Sequence, residues 1–459
     1  MENVLREVLK ENRIETNKVV DSTIKKLLNN VKVSELSKSI NDLKSRILEI
    51  FNMTKEIEEF KESHIVIPNA NAKKEYAFTF DMARFPSIKI KGIKNLELVG
   101  LEFDTENVTI FGSPTIADQI DIQIEFFNEE DENLELNIKS IPFIVNADPK
   151  DLWLNKPSPE NSRFPKEENL TYSTGFLDKK IVVASKRGRS HAHEGTFRDD
   201  DFLVRSLSND WEVVAVADGA GSAKFARAGS KFATEYIIQS FDNDTFLQTL
   251  SSEVDSYFDD QSADDIKLKN KTFIINSLYK TVKQLNEALG DYATSEEINL
   301  KDLHTTLIFC LVKKFDFGYV ILSFGVGDCP INVIGKDETD VKLLNILDVG
   351  EFSGGTRFIT MSEIFSRPDI ADRFGINCFP DFSKLILMTD GIYDPKFVVE
   401  SKLENLESWK NFLRDLDGEN EENIKVDFVN DQNIEVQLSD WMDFWSKGNH
   451  DDRTLAVIY

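Results

Sequence analysis

Four acidic segments hold the residues best suited to chemistry: Asp199-Asp200-Asp201, Asp218-Gly219, Asp390-Gly391 and Asp451-Asp452. Each abuts an apolar, β-branched run, at 202–204, 213–217, 385–388 and 455–458. Carboxylates gathered at the ends of buried strands are costly unless a cation sits between them. Hard divalent ions take oxygen ligands, so the pattern points to a pair of metals and a hydrolase built on them. The glycine after Asp218 is expected to turn the backbone sharply and to offer its carbonyl oxygen to a metal. One Asp-Gly strand tip would be an ordinary turn; a second, at Asp390-Gly391, argues for a site.

Sulfur chemistry is an unattractive alternative. Cys310, Cys329 and Cys378 fall in segments that read as core or loop, without the setting an activated thiol requires. So sparse and odd a count argues against a disulfide framework and for a reducing, cytoplasmic location. The net charge of -27 disfavours nucleic acid and anionic membranes as partners. No apolar run approaches membrane-spanning length, and the charged N-terminus lacks the core of a signal peptide.

The elements that must position these carboxylates follow from periodicity. Residues 1–62 read as a helical hairpin or coiled-coil segment, with Leu36, Ile40, Leu43, Ile47 and Ile50 in a heptad-like stripe. That stripe is expected to pack onto the rest of the protein, with a partner or dimer helix as the alternative. Residues 63–150 alternate as short strands, at 88–90, 96–99, 108–111, 120–124 and 134–138, which suits a small β-sandwich. The Phe111-Gly112-Ser113-Pro114 and Asp118–Ile122 stretches resemble immunoglobulin-like bacterial modules. A linker rich in proline and small polar residues is expected over 151–170.

The remainder, 171–459, is expected to be an α+β domain. Strands are expected at 180–186, 202–206, 212–217, 305–313, 318–324, 331–334, 384–389 and 453–459, with helices at 224–240, 271–289, 396–413 and 434–446. Strands in adjacent pairs and helices in groups imply two antiparallel sheets flanked by helices, an α-β-β-α sandwich.

Taken in order, Asp199–Val204, Val216–Gly221, Thr305-Thr306-Leu307, Gly325–Asp328, Leu387–Asp394 and Asp451–Thr454 resemble the motifs of the metal-dependent (type 2C) serine/threonine protein phosphatases. The resemblance covers about 175 to 459 and looks like a bacterial branch, with Ser185–His191 opening the domain and Gly350–Thr360 between motifs. It implies two Mg²⁺ or Mn²⁺ ions held by Asp199, Asp200, Asp218, Gly219, Asp390 and Asp451, with Asp218 bridging and Asp328 supporting. Two such ions roughly 3.5–4 Å apart would activate water for in-line attack on a phosphoserine or phosphothreonine. Ala220 stands where eukaryotic members often have His, and Gly195 where an Arg is usual. Arg187, Arg189, Arg198 and His191 are the candidates for gripping substrate phosphate in place of that Arg, against a surface role for each arginine and a structural hydrogen bond for His191. A structural hydrogen bond is expected of His193, packing of His304, and support of the metal ligands from His450. The resemblance further implies a phosphorylated protein substrate, a cognate kinase and a von Willebrand factor A-like protein as partners. The alternative reading is a pseudophosphatase or scaffold that binds phosphoproteins without turnover.

Overall fold

The computed structural model describes residues 1–348 and 355–459, so the run Gly350–Thr360 lies partly outside the described residues. The chain divides into two compact units, Met1–Leu152 and Trp153–Tyr459. Among the described residues no helix is long and apolar enough to cross a membrane.

The first unit opens with three helices, α1 (Glu2–Glu11), α2 (Lys18–Leu28) and the 32-residue α3 (Val31–Glu62). Strands follow: β1 (Ala70–Asn71), β2 (Tyr76–Thr79), β3 (Ile88–Lys94), β4 (Glu102–Asp104), β5 (Thr109–Gly112), β6 (Gln119–Asn128) and β7 (Asn137–Asn146). They form sheets ordered β1-β7-β6-β3 and β2-β5-β4. Ile90, Ile122, Ile124 and Phe143 of one sheet share a core with Ile110 of the other. Two expected strands differ. Leu96–Val99 is a 3₁₀ turn, because Asn95 and Gly100 on either side adopt left-handed backbone and bury Leu96 and Val99 on one side. Leu134 also has positive φ, so the last strand begins only at Asn137.

In the second unit come β8 (Asn169–Phe176), β9 (Lys179–Lys186), α4 (Arg189–Glu194), β10 (Asp201–Ser206) and β11 (Trp211–Ala217). Helices α5 (Ala226–Phe241), α6 (Asp244–Phe258) and α7 (Asp264–Ser295) precede β12 (Leu307–Phe315), β13 (Gly318–Val326), β14 (Ile331–Gly335) and β15 (Val341–Leu343). The unit closes with β16 (Phe374–Phe379), β17 (Phe382–Met388), α8 (Asp390–Phe397), α9 (Leu406–Leu416), α10 (Ile434–Trp441) and β18 (Arg453–Ile458).

Two antiparallel sheets result, ordered β10-β11-β12-β13-β16 and β15-β14-β17-β18-β9-β8. Side-chain alternation assigns their faces. On β11, Val214 and Val216 meet Val183, Leu385 and Ala456 of the other sheet, while Val213, Ala215 and Ala217 face a core built with α5, α6 and α7. On β18, Ala456 and Ile458 join the inter-sheet core, and Leu455 and Val457 face α8, α9 and α10. Strands apolar on both faces are thus covered twice, and their polar ends emerge where the two sheets meet.

The stretch expected as a linker is seated on this unit. Arg187 donates to Ser158 Oγ, Asn155 Oδ1 and the Lys156 carbonyl, and Lys166 is buried beside Asp201 at 3.0 Å.

Candidate metal centre

Asp200 precedes β10, Asp218 follows β11, Asp390 opens α8, and Asp451 precedes β18, so strand and helix ends deliver all four. Asp390 is therefore at a helix N-terminus rather than on the tip of β17, where the helix dipole tempers its charge. Burial first, then the charges of Asp390, Asp200, Asp451 and Asp328, hold the Asp218 carboxyl well above its ordinary range. Asp390 is raised likewise by burial and then by Asp451, Asp328 and Asp200. Burial and then Asp452 lift Asp200 to about 7. Carboxylates far apart in sequence are thus close enough to oppose one another's ionisation.

Asp218 and Asp200 are held by neutral threonine neighbours. Thr306 Oγ1 accepts from the Asp218 amide at 2.9 Å, and Thr305 Oγ1 and the Thr306 amide both donate to the Asp218 carbonyl at 2.8 Å. Asp200, 1% exposed, accepts on one oxygen from Thr389 Oγ1 at 2.8 Å and Thr454 Oγ1 at 2.7 Å. The bridge between Gly219 and Thr305 is closed by bonds from flanking residues, so its ladder leaves the Gly219 carbonyl uncommitted.

The glycines act through space rather than through unusual dihedrals. Neither Gly219 nor Gly391 has positive φ. A Cβ on Gly391 would lie 1.9 Å from the Asp452 carbonyl oxygen, and one on Gly188 would lie 2.3 Å from the Asp451 carbonyl carbon. The 451–452 backbone therefore passes between two surfaces kept bare of side chains.

Asp328, expected in a supporting role, lies beside Asp218. Asp218, Asp328 and Cys329 bring ligand atoms within 4.8 Å of one another. Asp328 accepts from Thr356 Oγ1 at 2.8 Å on one oxygen, while its other buried oxygen has no partner among the described residues. Asp390 Oδ1 is also buried and unpartnered. Buried orphan carboxylate oxygens are rare, and a hard cation is the natural partner for a pair of them. The residues present therefore fit divalent metal. Cys329 is the odd member of that group, a soft sulfur among hard carboxylates, and its sulfur lies 3.4 Å from Thr306 Oγ1.

Other expected site residues lie elsewhere. Asp199 gives one oxygen to the Arg227 amide in the first turn of α5, at 3.1 Å, and is raised to about 6 by burial and then Asp452. It is not among the charges foremost at Asp218 or Asp390. Arg187 and Arg198 do not present themselves for phosphate. Arg187 is buried with its donors on protein oxygens and Glu168, and Arg198, 1% exposed, donates to the Glu167 and Asp200 carbonyls and Ser185 Oγ. Guanidiniums so committed are structural ties between strands. His191 donates Nδ1–H to Asp452 at 3.0 Å. Burial opposes its charge, but Asp452, Asp199 and Asp451 together outweigh that and raise it to about 10. The imidazolium is thereby a counter-ion, gathered with Asp451 and Asp452 within 4.8 Å. Of the other histidines, His193 accepts the Leu154 amide, His304 stacks on Phe358, and His450 lies between Trp153 and Trp445.

Sequence reasoning missed Asp452. Its two oxygens take the amides of Gly188, Asp199 and Asp200 besides His191, tying three strand ends together. The doublet with Asp451 was the available signal. Asp348 was missed too: buried, it receives Arg373 on both oxygens at 2.7 and 3.0 Å, and the Gly327 amide at 2.9 Å, which anchors the turn carrying Asp328.

Residues 187–442, more than half of the chain, match the family model described as Protein phosphatase 2C. No curated protein matches the chain. Among solved structures, a bacterial serine phosphatase is similar at 16% identity, with a TM-score of 0.35, over 61% of this chain and 97% of that one. The serine/threonine phosphatase Stp1 from Staphylococcus aureus is 15% identical, with a TM-score of 0.35, over 65% and 98%. The S. agalactiae serine/threonine phosphatase is 13% identical, with a TM-score of 0.37, over 63% and 99%.

Proposed function

Because this chain belongs to the protein phosphatase 2C family, we propose that it hydrolyses phosphoserine and phosphothreonine in proteins at a centre of two divalent ions, Mg²⁺ or Mn²⁺. The ligands in this reading are Asp200, Asp218, the Gly219 carbonyl, Asp390 and Asp451, with Asp328 as a further oxygen donor and Asp199 at the margin. The observation that carries it is the convergence of carboxylates from opposite ends of the domain, with buried oxygens of Asp390 and Asp328 left without a partner. Divalent ions bound there supply Lewis acidity toward water and neutralise phosphoryl oxygens as charge moves to the leaving alkoxide.

The chain's own residues do the rest. Thr306 holds Asp218 in place through its backbone, and Thr389 and Thr454 fix the rotation of Asp200. Asp452 keeps His191 charged beside Asp451, which limits the net negative charge a phosphomonoester would meet on approach. Proton transfer from a protein thiol has no part, since Cys310 and Cys329 are buried and held protonated.

The intact set of strand-end carboxylates favours turnover over a pseudophosphatase. In this reading the protein is cytoplasmic, the first unit, with its immunoglobulin-like sheets, is a docking module, and a kinase and a von Willebrand factor A-like protein are its partners in signalling. The test is hydrolysis of a phosphothreonine peptide by the full chain with Mn²⁺, beside Asp218→Asn. Activity in the native chain, abolished by the substitution, is expected. A native chain that binds Mn²⁺ yet is as inert as the variant would be a pseudophosphatase.

A further inference from the structure

Helix α3 carries an apolar face that its own unit does not cover. Its C-terminal turns are packed: Ile57 and Phe60 join Phe85, Ile88 and Phe126. Upstream the helix stands clear, and residues 41–52 are exposed one after another. Leu36, Leu43, Ile47, Ile50 and Phe51 are 54–67% exposed, whereas large side chains in a monomer's helix face are ordinarily covered. Four of the five stripe residues are thus left uncovered by their own unit, with Ile40 half-buried.

Its register names what covers it. Val33, Ile40 and Ile47 recur at seven-residue steps, as do Leu36, Leu43 and Ile50 three residues later. The first set is β-branched and the second is mostly Leu, the combination that favours two parallel strands. Charge agrees with that orientation. In a parallel, in-register pair, the flanking positions set Lys32 by Ser37, Ser39 by Lys44 and Arg46 by Phe51 of the second copy, with no like charges opposed. An antiparallel pair centred on the stripe would set Ser37 by Lys44 and Ser39 by Arg46, so the choice of orientation rests on the β-branched and Leu positions. The free stretch from Val33 to Ile50 runs about 27 Å. Within it the β6–β7 hairpin touches the helix at one flank, through Arg46 and Glu132 at 3.4 Å.

We propose that α3 is a homodimerisation helix, pairing in parallel with α3 of a second copy of this chain through Leu36, Ile40, Leu43, Ile47 and Ile50. The side chains concerned lie outside the catalytic unit, so the proposal stands or falls apart from the catalytic reading. Analytical ultracentrifugation of the full chain over a dilution series tests it. The native chain is expected to reach twice the 52.4 kDa monomer mass, and Leu43→Glu with Ile47→Glu to stay monomeric with unchanged helical circular dichroism. A native chain monomeric at every concentration, or a double variant that remains dimeric, would overturn it. Orientation is read separately from an uncharged variant. Oxidised Leu36→Cys is expected to cross-link to itself beyond the native-chain background; cross-linking only when mixed with Ile50→Cys would mean antiparallel pairing and refute the assignment.

Discussion

Removing metal should leave a protein whose stability falls as pH rises. In the metal-free fold Asp200 is lifted, by burial first and Asp452 next, from an ordinary 3.8 to about 7. The folded state then binds a proton that the unfolded chain has already released, so stability declines between about pH 4 and 7. At about 1.4 kcal/mol per pH unit, Asp200 alone accounts for on the order of 4 kcal/mol. Asp199, Asp218 and Asp390 are shifted in the same direction. Because these groups repel one another, their contributions do not add independently. His191, raised to about 10, contributes stability complete below about 6.5 and lost as pH climbs toward 10, again a decline. Asp452 and Asp348 are lowered, so their contributions vanish only below about pH 4, outside the window. About 3 kcal/mol of that falls between pH 5 and 8, so at about 2 °C per kcal/mol for a unit of this size Asp200 alone lowers Tm by about 5 °C over this range in chelator. Millimolar Mg²⁺ or Mn²⁺ should flatten the profile by binding only the folded state, and Asp200→Asn should make the metal-free slope shallower. Differential scanning calorimetry with and without metal reads all three. A metal-free Tm that is level or rises over this range would refute the reasoning.

Two substitutions probe the surrounding scaffold. Asp452→Ala should lower kcat at least tenfold and stability by about 3 kcal/mol, since it strips the partner from a buried imidazolium and three amides; phosphopeptide kinetics and urea unfolding check it, and a variant within twofold of native turnover contradicts it. Gly391→Ala places a methyl against the Asp452 carbonyl and should cost about 3 kcal/mol with loss of metal affinity, read by calorimetric titration.

Much of this was legible because strand ends are marked by composition. The runs 213–217 and 385–388 are apolar at every position, which a strand covered on both faces requires, and two Asp-Gly pairs following such runs are more than one ordinary turn accounts for. The stretch 396–413, expected as one helix, is interrupted because Val398 takes a positive φ between α8 and α9. Helix α6 went unseen beside the longer α7, since Leu247, Leu250 and Val254 spread three core contacts over a largely polar segment. The edge strands β8 and β16 were missed for a related reason: with most side chains exposed on β8 and partly buried on β16, they lack the apolar signature of the centre. Which charged residues are committed was not readable at all. Arg187 and Arg198 carry the chemistry of a phosphate clamp, and only their burial against carbonyl oxygens reveals them as struts.

The threading of residues 451–452 between Gly188 and Gly391 has a kinetic corollary. Strand β18 sits in mid-sheet, zipped to β17 on one side and to β9 on the other, although some 270 positions of chain separate it from β9. Contacts of such span form late on the folding route, because the entropy of closing so large a loop must be met first. Docking of β18 is also what carries Asp451 and Asp452 to the other carboxylates, so the cluster is complete only once this long-range pairing has formed.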